Sequence, residues 1–306
     1  MSKRLLLVSG CYDGGLVGLE CTADNQSQSV QFNPLFKFLA HQGSVKAISI
    51  GNGILATGGT DETVCLYDIN KRVTYGSLQI CRGTITALAW QHELSKVKKL
   101  LVATNTGKIY LFRAHDLEEI CELNAHDEQI LDMAIHPKGK VFISLGKDSK
   151  LKLWDLTTNL CVYNTTLSNY ASSITFSGSG NNYAFISDRN CTISSVTDQF
   201  KPIGITTTDV LTCITFIEDD TVLLGTNNGS ILACLFLQSS TPRNLIKQEC
   251  RLKSLKVFNM NNNTIVLAAN SKGDIYCWKY INLELIQIGY FKTETRLITM
   301  QVSHMK

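Results

Sequence analysis

The chain has 306 residues, 44% of them hydrophobic and 18% charged, with a formal net charge of +3. That charge is too small to point to nucleic acid by itself, and four prolines with no low-complexity run argue against a long linker. The start, Met1 to Val8, is basic and then apolar, but the apolar run is too short for a signal peptide, and no stretch reaches the roughly 20 residues of a membrane-spanning helix.

In chain order, strands are predicted at 5–9 and 16–21, joined by the turn 10–15. Residues 23–29 read as a loop and 35–39 as the outer strand of a first unit whose inner strand is missing. A second unit opens at Ala40-His41, with strands at 45–50, 54–57 and 64–67. A third has strands at 85–90, 100–104 and 108–112. Its residues 92–99 read as an enlarged loop with solvated lysines. The fourth is the clearest, running from Ala125-His126 to Trp154-Asp155, with strands at 130–135, 141–145 and 150–154 and an outer strand at 160–163. The fifth has strands at 173–176, 183–186 and 192–196, the sixth at 211–216, 221–224 and 230–236, and the seventh at 252–258, 264–269, 274–278 and 284–290. One strand, 296–302, is left over. Val45, Ile85, Ile130, Ala171, Leu211, Leu252 and Leu297 open the inner strands in parallel fashion.

The fourth unit has an internal chemistry. His126 precedes the inner strand, Ser144 sits on the second strand, Asp148 in the next turn and Trp154 on the third strand. These types can form a chain from Asp to His, His to Ser and Ser to the indole N–H, which makes a buried carboxylate tolerable. A catalytic His/Ser/Asp reading fails, because the Ser is committed to the indole and no nucleophile elbow is present. His41, Thr57, Asp61 and Tyr67 occupy the same places in the second unit, with Tyr for Trp. Units five to seven lack this network and are expected to be the less rigid half.

Units of about 40–45 residues with this layout are WD40 repeats, the blades of a β-propeller. The left-over C-terminal strand is the one the first blade lacks. The expected fold is therefore all-β, a seven-bladed WD40 β-propeller closed by the C-terminal strand pairing into the N-terminal blade, with residues 1–306 as a single domain. Closure removes the edges an open array would expose.

The stretches Gly10-Cys11-Tyr12-Asp13, Gly59 to Val64 with Tyr67-Asp68, Arg82 to Leu88, Ala125 to Leu156 and Thr295 to Ile298 resemble the PAK-interacting WD-repeat proteins and their fungal counterpart in large-ribosomal-subunit assembly (the maintenance-of-killer family). The resemblance implies a non-enzymatic scaffold in ribosome biogenesis, in the nucleolus and nucleus with the cytoplasm as a further location. Its partners would be proteins of pre-60S particles, with rRNA as a further contact. The alternative it implies is negative regulation of a p21-activated kinase by direct binding. The chain would act as a monomer within a larger complex, away from membranes. Family members carry a lysine-rich tail after the propeller, whereas this sequence ends at Lys306.

No cofactor or metal is expected. The eleven cysteines show no C-x-x-C spacing and no His pair at zinc spacing, and most, such as Cys65 and Cys213, lie in apolar runs as small buried residues of a reducing compartment. Gly178-Ser179-Gly180 reads as a turn, and Glu118-Glu119 and Asp219-Asp220 as solvated loops. Ubiquitin-ligase receptor propellers usually carry Arg where this chain has Thr157. Partners are expected at the mouth formed by the loops before the inner strands and the turns after the second strands. Tyr12, Arg82, Lys147, Tyr170, Arg189, Arg251 and Arg296 would give that mouth a basic and aromatic character suited to an acidic or phosphorylated segment. Arg82 stands where a His would open the third blade, and Asn228, in the sixth unit's turn, reads as a surface residue.

Overall fold

The computed structural model describes residues 4–24, 29–80, 82–93, 96–197, 200–239, 241–260 and 263–305. They form seven four-stranded antiparallel sheets, the blades of a propeller. Blade one is Leu297–His304, Arg4–Cys11, Gly15–Asp24 and Ser29–Leu39, from inside out. Blade two is Val45–Gly51, Ile54–Gly59, Thr63–Asp68 and Val73–Gln79, and blade three is Ile85–Glu93, Lys96–Thr104, Lys108–Arg113 and Glu119–Asn124. Blade four is Ile130–Ile135, Val141–Gly146, Lys150–Asp155 and Leu160–Thr166. Blade five is Ser173–Phe176, Asn182–Ser187, Asn190–Ser195 and Ile203–Thr206. Blade six is Leu211–Glu218, Thr221–Thr226, Ser230–Leu235 and Arg243–Lys247, and blade seven is Leu252–Met260, Asn263–Asn270, Asp274–Ile281 and Glu284–Lys292.

The C-terminal strand closes the ring. It pairs antiparallel with the first, Leu7 opposite Val302 and Val8 opposite Gln301. The N–H of Tyr12 donates to Arg296 O at 2.9 Å and that of Met305 to Arg4 O at 3.0 Å, so both ends of the joint are pinned.

The core consists of seven apolar layers, one between each pair of neighbouring blades. The second strands carry most of it and are buried on both faces, as Leu100, Leu101, Val102 and Ala103 show. A strand covered on both faces needs a continuous apolar run rather than alternation, which is why these stretches stand out in the sequence. The outer strands are covered on one side at most, and residues such as Leu160 and Val162 are exposed.

Several expectations change. Residues 92–99 are not an enlarged loop: the inner strand runs to Glu93 and the second starts at Lys96, a long hairpin whose tip, 94–95, lies outside the described residues. Its lysines are not all solvated, because Lys99 Nζ donates to Leu156 O at 2.6 Å and Asn159 Oδ1 at 2.9 Å, tying blade three to blade four. The loop expected at 23–29 is shorter, since strand structure reaches Asp24 and resumes at Ser29, with 25–28 outside the described residues. The outer strand of blade one is Ser29–Leu39 rather than 35–39. Four outer strands left unassigned from the sequence are present, in blades two, three, five and six. They are short or largely exposed and mix apolar with polar residues, so they lack the apolar run that reveals the second strands. Ala171 is fully buried at the inner-strand position, but the ladder of blade five begins only at Ser173. Cys161 is exposed on an outer strand, against the general burial of the other described cysteines, and Cys81, Met1 and Lys306 lie outside the described residues.

Candidate functional site

The blade-four network has the geometry its residue types allow. His126 Nδ1 lies 3.0 Å from Asp148 Oδ1, and His126 Nε2 lies 2.8 Å from Ser144 Oγ. Trp154 Nε1 donates to the same Ser144 Oγ at 3.0 Å. Since the indole can only donate, Ser144 donates onward to Nε2, and Nδ1 carries the proton given to Asp148. Asp148 also accepts the N–H of Asp127 at 3.2 Å and of Lys150 at 3.1 Å, so one carboxylate ties the loop before the inner strand to the turn after the second. Burial, opposed by the Asp148 charge, holds the His126 pKa below its ordinary value, consistent with a neutral ring.

Blade two repeats part of this. His41 Nδ1 lies 2.9 Å from Asp61 Oδ1 and Nε2 lies 2.8 Å from Thr57 Oγ1. Tyr67 does not bond to Thr57; its ring meets Phe38 of blade one edge-on at 5.2 Å. Burial opposes the charged form of His41, but its hydrogen bonds with Cys65 and Asp61 outweigh burial and raise its pKa. For Asp61, burial is outweighed by the bonds from His41 and the Gln42 N–H, and its pKa falls. These are scaffold bonds that set the height of the loops above the ring.

Blades six and one use a different device at the same place. Thr207 Oγ1 donates between Arg189 O and Asp209 O, and Thr293 Oγ1 donates between Gly273 O and Thr295 O. Asn228 Nδ2 donates to Asp209 Oδ2 at 2.7 Å, while its Oδ1 accepts from Thr226 Oγ1 at 2.6 Å and from the Ser230 N–H at 3.2 Å. Asn228 is therefore half-buried and bonded, not a free surface residue.

The residues expected at the mouth do not form one continuous patch. All seven are exposed, but their neighbours differ. The Arg296 guanidinium lies 5.3 Å from the centre of the Tyr12 ring. Arg251 and Arg296 are near enough to Lys253 to depress its pKa together with Lys46, after burial as the first cause. These residues belong to blades seven, one and two, which are consecutive around the ring, and together they make a cationic arc. Arg82 is drawn elsewhere: it stacks over Tyr110 at 5.2 Å and pairs with Glu122 at 3.1 Å and Glu119 at 3.6 Å, on blade three. It also stands one residue after the His position, because Ile80 makes the backbone bond to the preceding turn that Ala40 and Ala125 make. Lys147 and Tyr170 are exposed on blade four's turn and before blade five's inner strand. Arg189 follows Asp188 in a two-residue turn rather than preceding an Asp position.

Below the mouth runs an axial channel of about 480 Å³ lined by the inner strands of all seven blades. In register, its second tier holds Ala47, Ala87, Asp132, Ser173, Cys213, Ser254 and Thr299, and its third holds Ser49, Ala89, Ala134, Thr175, Thr215, Lys256 and Gln301. Asp132 and Lys256 are the only charged residues in these tiers. Asp132 accepts from Ser173 Oγ at 2.7 Å, the Ile174 N–H at 3.0 Å and the Met133 N–H at 2.8 Å, and burial still raises its pKa. Burial lowers the pKa of Lys256, with Asp132 and Cys213 opposing. Lys256 has no hydrogen-bond or ion-pair partner among the described residues. Sequence reading missed Lys46, Lys253, Lys256 and Asp132; aligning the seven inner strands from their first buried residues would have placed them around the axis.

The family "WD domain, G-beta repeat" matches residues 32–68 and 117–155. Over 99% of this chain and 81% of the relative, the sequence is 28% identical to p21-activated protein kinase-interacting protein 1-like of Danio rerio. It is 28% identical to Protein MAK11 of Saccharomyces cerevisiae over 51% of this chain and 42% of that protein. Among solved structures, that of U3-55K matches with a TM-score of 0.70 over 83% of each chain at 12% identity, a likeness of fold alone.

Proposed function

We propose that this chain, which belongs to the WD-repeat family of the p21-activated-kinase-interacting proteins and MAK11, is a non-enzymatic scaffold in assembly of the large ribosomal subunit. The observation that carries the docking mode is the cationic arc of Arg251, Arg296, Lys253 and Lys46 on three consecutive blades, with the Tyr12 ring beside it. Arginine supplies a planar, charge-assisted fork for carboxylate or phosphate, and an exposed tyrosine adds a rigid contact surface. An acidic or phosphorylated segment of a pre-60S protein fits this arc better than the neighbouring blade three, where Arg82 is already paired with Glu122. The reading carries a nucleolar and nuclear location with it. Direct binding and inhibition of a p21-activated kinase is the second reading, favoured by the name of the relative that spans nearly the whole chain.

The test is sedimentation. Wild-type protein is expected to travel with pre-ribosomal particles on a sucrose gradient, and Arg251→Glu with Arg296→Glu is expected to abolish this while circular dichroism stays unchanged. A folded double variant that still co-sediments removes the arc as docking face. Wild type that never co-sediments and instead captures a kinase decides for the regulatory reading.

A further inference from the structure

We propose that the axial channel is a binding site for a compact, phosphate-rich small molecule, held at depth by Lys256 and at the rim by Lys253, Lys46, Arg251 and Arg296. The channel, about 480 Å³, has the size of a small-ligand pocket. Lys46, Lys253 and Lys256 line it, Arg251 and Arg296 lie near Lys253, and the one carboxylate in the lining, Asp132, already accepts three hydrogen bonds from its own and the next blade. Lys256, half-buried on the channel wall, feels the Asp132 charge but has no hydrogen-bond acceptor among the described residues. An ammonium on the wall of a narrow channel is partly desolvated, and a bound anion adds the close partner it lacks.

The spacing sets the class of ligand. Lys253 and Lys256 are three residues apart on one strand, about 10 Å at the rise of an extended chain. A single phosphate cannot span from rim to depth, whereas a molecule with several phosphates can. Lysines bind phosphate as mobile point charges, which suits a compact polyanion better than a planar carboxylate. The sequence hides this site because its lysines lie more than two hundred residues apart, Lys46 on blade two and Lys253 and Lys256 on blade seven.

The experiment uses the purified full chain and inorganic tripolyphosphate as the probe, at constant ionic strength, read by calorimetry and thermal unfolding. Wild type is expected to bind one equivalent saturably and to unfold at a higher temperature when loaded. Lys256→Met is expected to fold and to bind at least tenfold more weakly; Lys256→Gln replaces it if the Met variant does not fold. Lys138→Met, an exposed change at the other end of blade four, is expected to bind as wild type. The proposal is overturned if wild type shows no saturable binding, if the Lys256 variant binds unchanged, or if Lys138→Met weakens binding equally, which would mean non-specific attraction. A phosphoserine peptide that binds through Lys256 where tripolyphosphate does not also overturns it, in favour of a protein ligand. This assignment does not need the pre-ribosomal partner: Lys256→Met should lose tripolyphosphate whether or not it still co-sediments.

Discussion

Blades two and four and blades six and one solve one problem with two chemistries. Each must hold the loop before its inner strand against a neighbouring turn, without leaving backbone groups unpaired. Blades two and four use an imidazole–carboxylate pair, with Asp148 and Asp61 each collecting several donors. Blades six and one use hydroxyls and amides, as Thr207, Asn228 and Thr293 do. The weaker half is therefore not bare, as the missing His and Asp suggested. The difference is in charge: a neutral bond strengthens modestly on burial, whereas a buried charge is strong while paired and costly once its partner is gone. The cationic arc lies across this boundary, on blades seven, one and two.

The largest expected effect comes from opening the ring. Ending the chain after Lys292 removes Leu297 and Met300 from the layer between blades one and seven and leaves Arg4–Cys11 as a free inner edge. Aggregation is expected, and limited proteolysis should cut blades five to seven before blades two to four. A soluble truncated chain with an unchanged melting temperature would contradict the role of closure.

Single substitutions sharpen the comparison. Asp148→Ala leaves His126 and two backbone N–H groups without their acceptor, and a loss of about 2–4 kcal/mol is expected in a urea titration. Asn228→Ala removes three neutral or singly charge-assisted bonds, and about 1–2 kcal/mol is expected. Equal losses would show that the two devices are energetically alike.

Acidity gives the smallest effect but separates blade two from blade four. The pKa of His126 is lowered from 6.5, so the stability carried by its neutral form is present above that value and is lost as pH falls below it. The pKa of His41 is raised from 6.5, so its contribution is complete below that value and is lost as pH rises through its folded value. Asp61 is lowered from 3.8, and its share is lost only as pH falls through its folded value. Between about pH 7.5 and 5.5, thermal unfolding of His126→Gln should therefore be less acid-sensitive than wild type, and that of His41→Gln more so. Identical slopes for both variants would remove the distinction.

The blades were legible because their signals are local. A His four residues before an apolar strand, an Asp in the turn that follows the second strand, and second strands buried on both faces are all contained in stretches of 30 residues or so, as is the register of a hairpin. The left-over strand at the C-terminus even announced the closure found between Leu297–His304 and Arg4–Cys11. The site was much less legible. Arg82 and Arg296 looked alike from the sequence, yet one is turned onto Tyr110 and Glu122 and the other sits by Tyr12 at the rim.

Lys46, Lys253, Lys256 and Asp132 carry no local mark of a shared position. By itself, then, the sequence determined the strand pattern, the blade repeat and the hydrogen-bond devices inside blades, because those depend on side chains within one hairpin or one turn. Only the tertiary structure decided which charges face one another. Ring closure sets inner strands from both ends of the chain side by side around one axis, and no local periodicity encodes that distance.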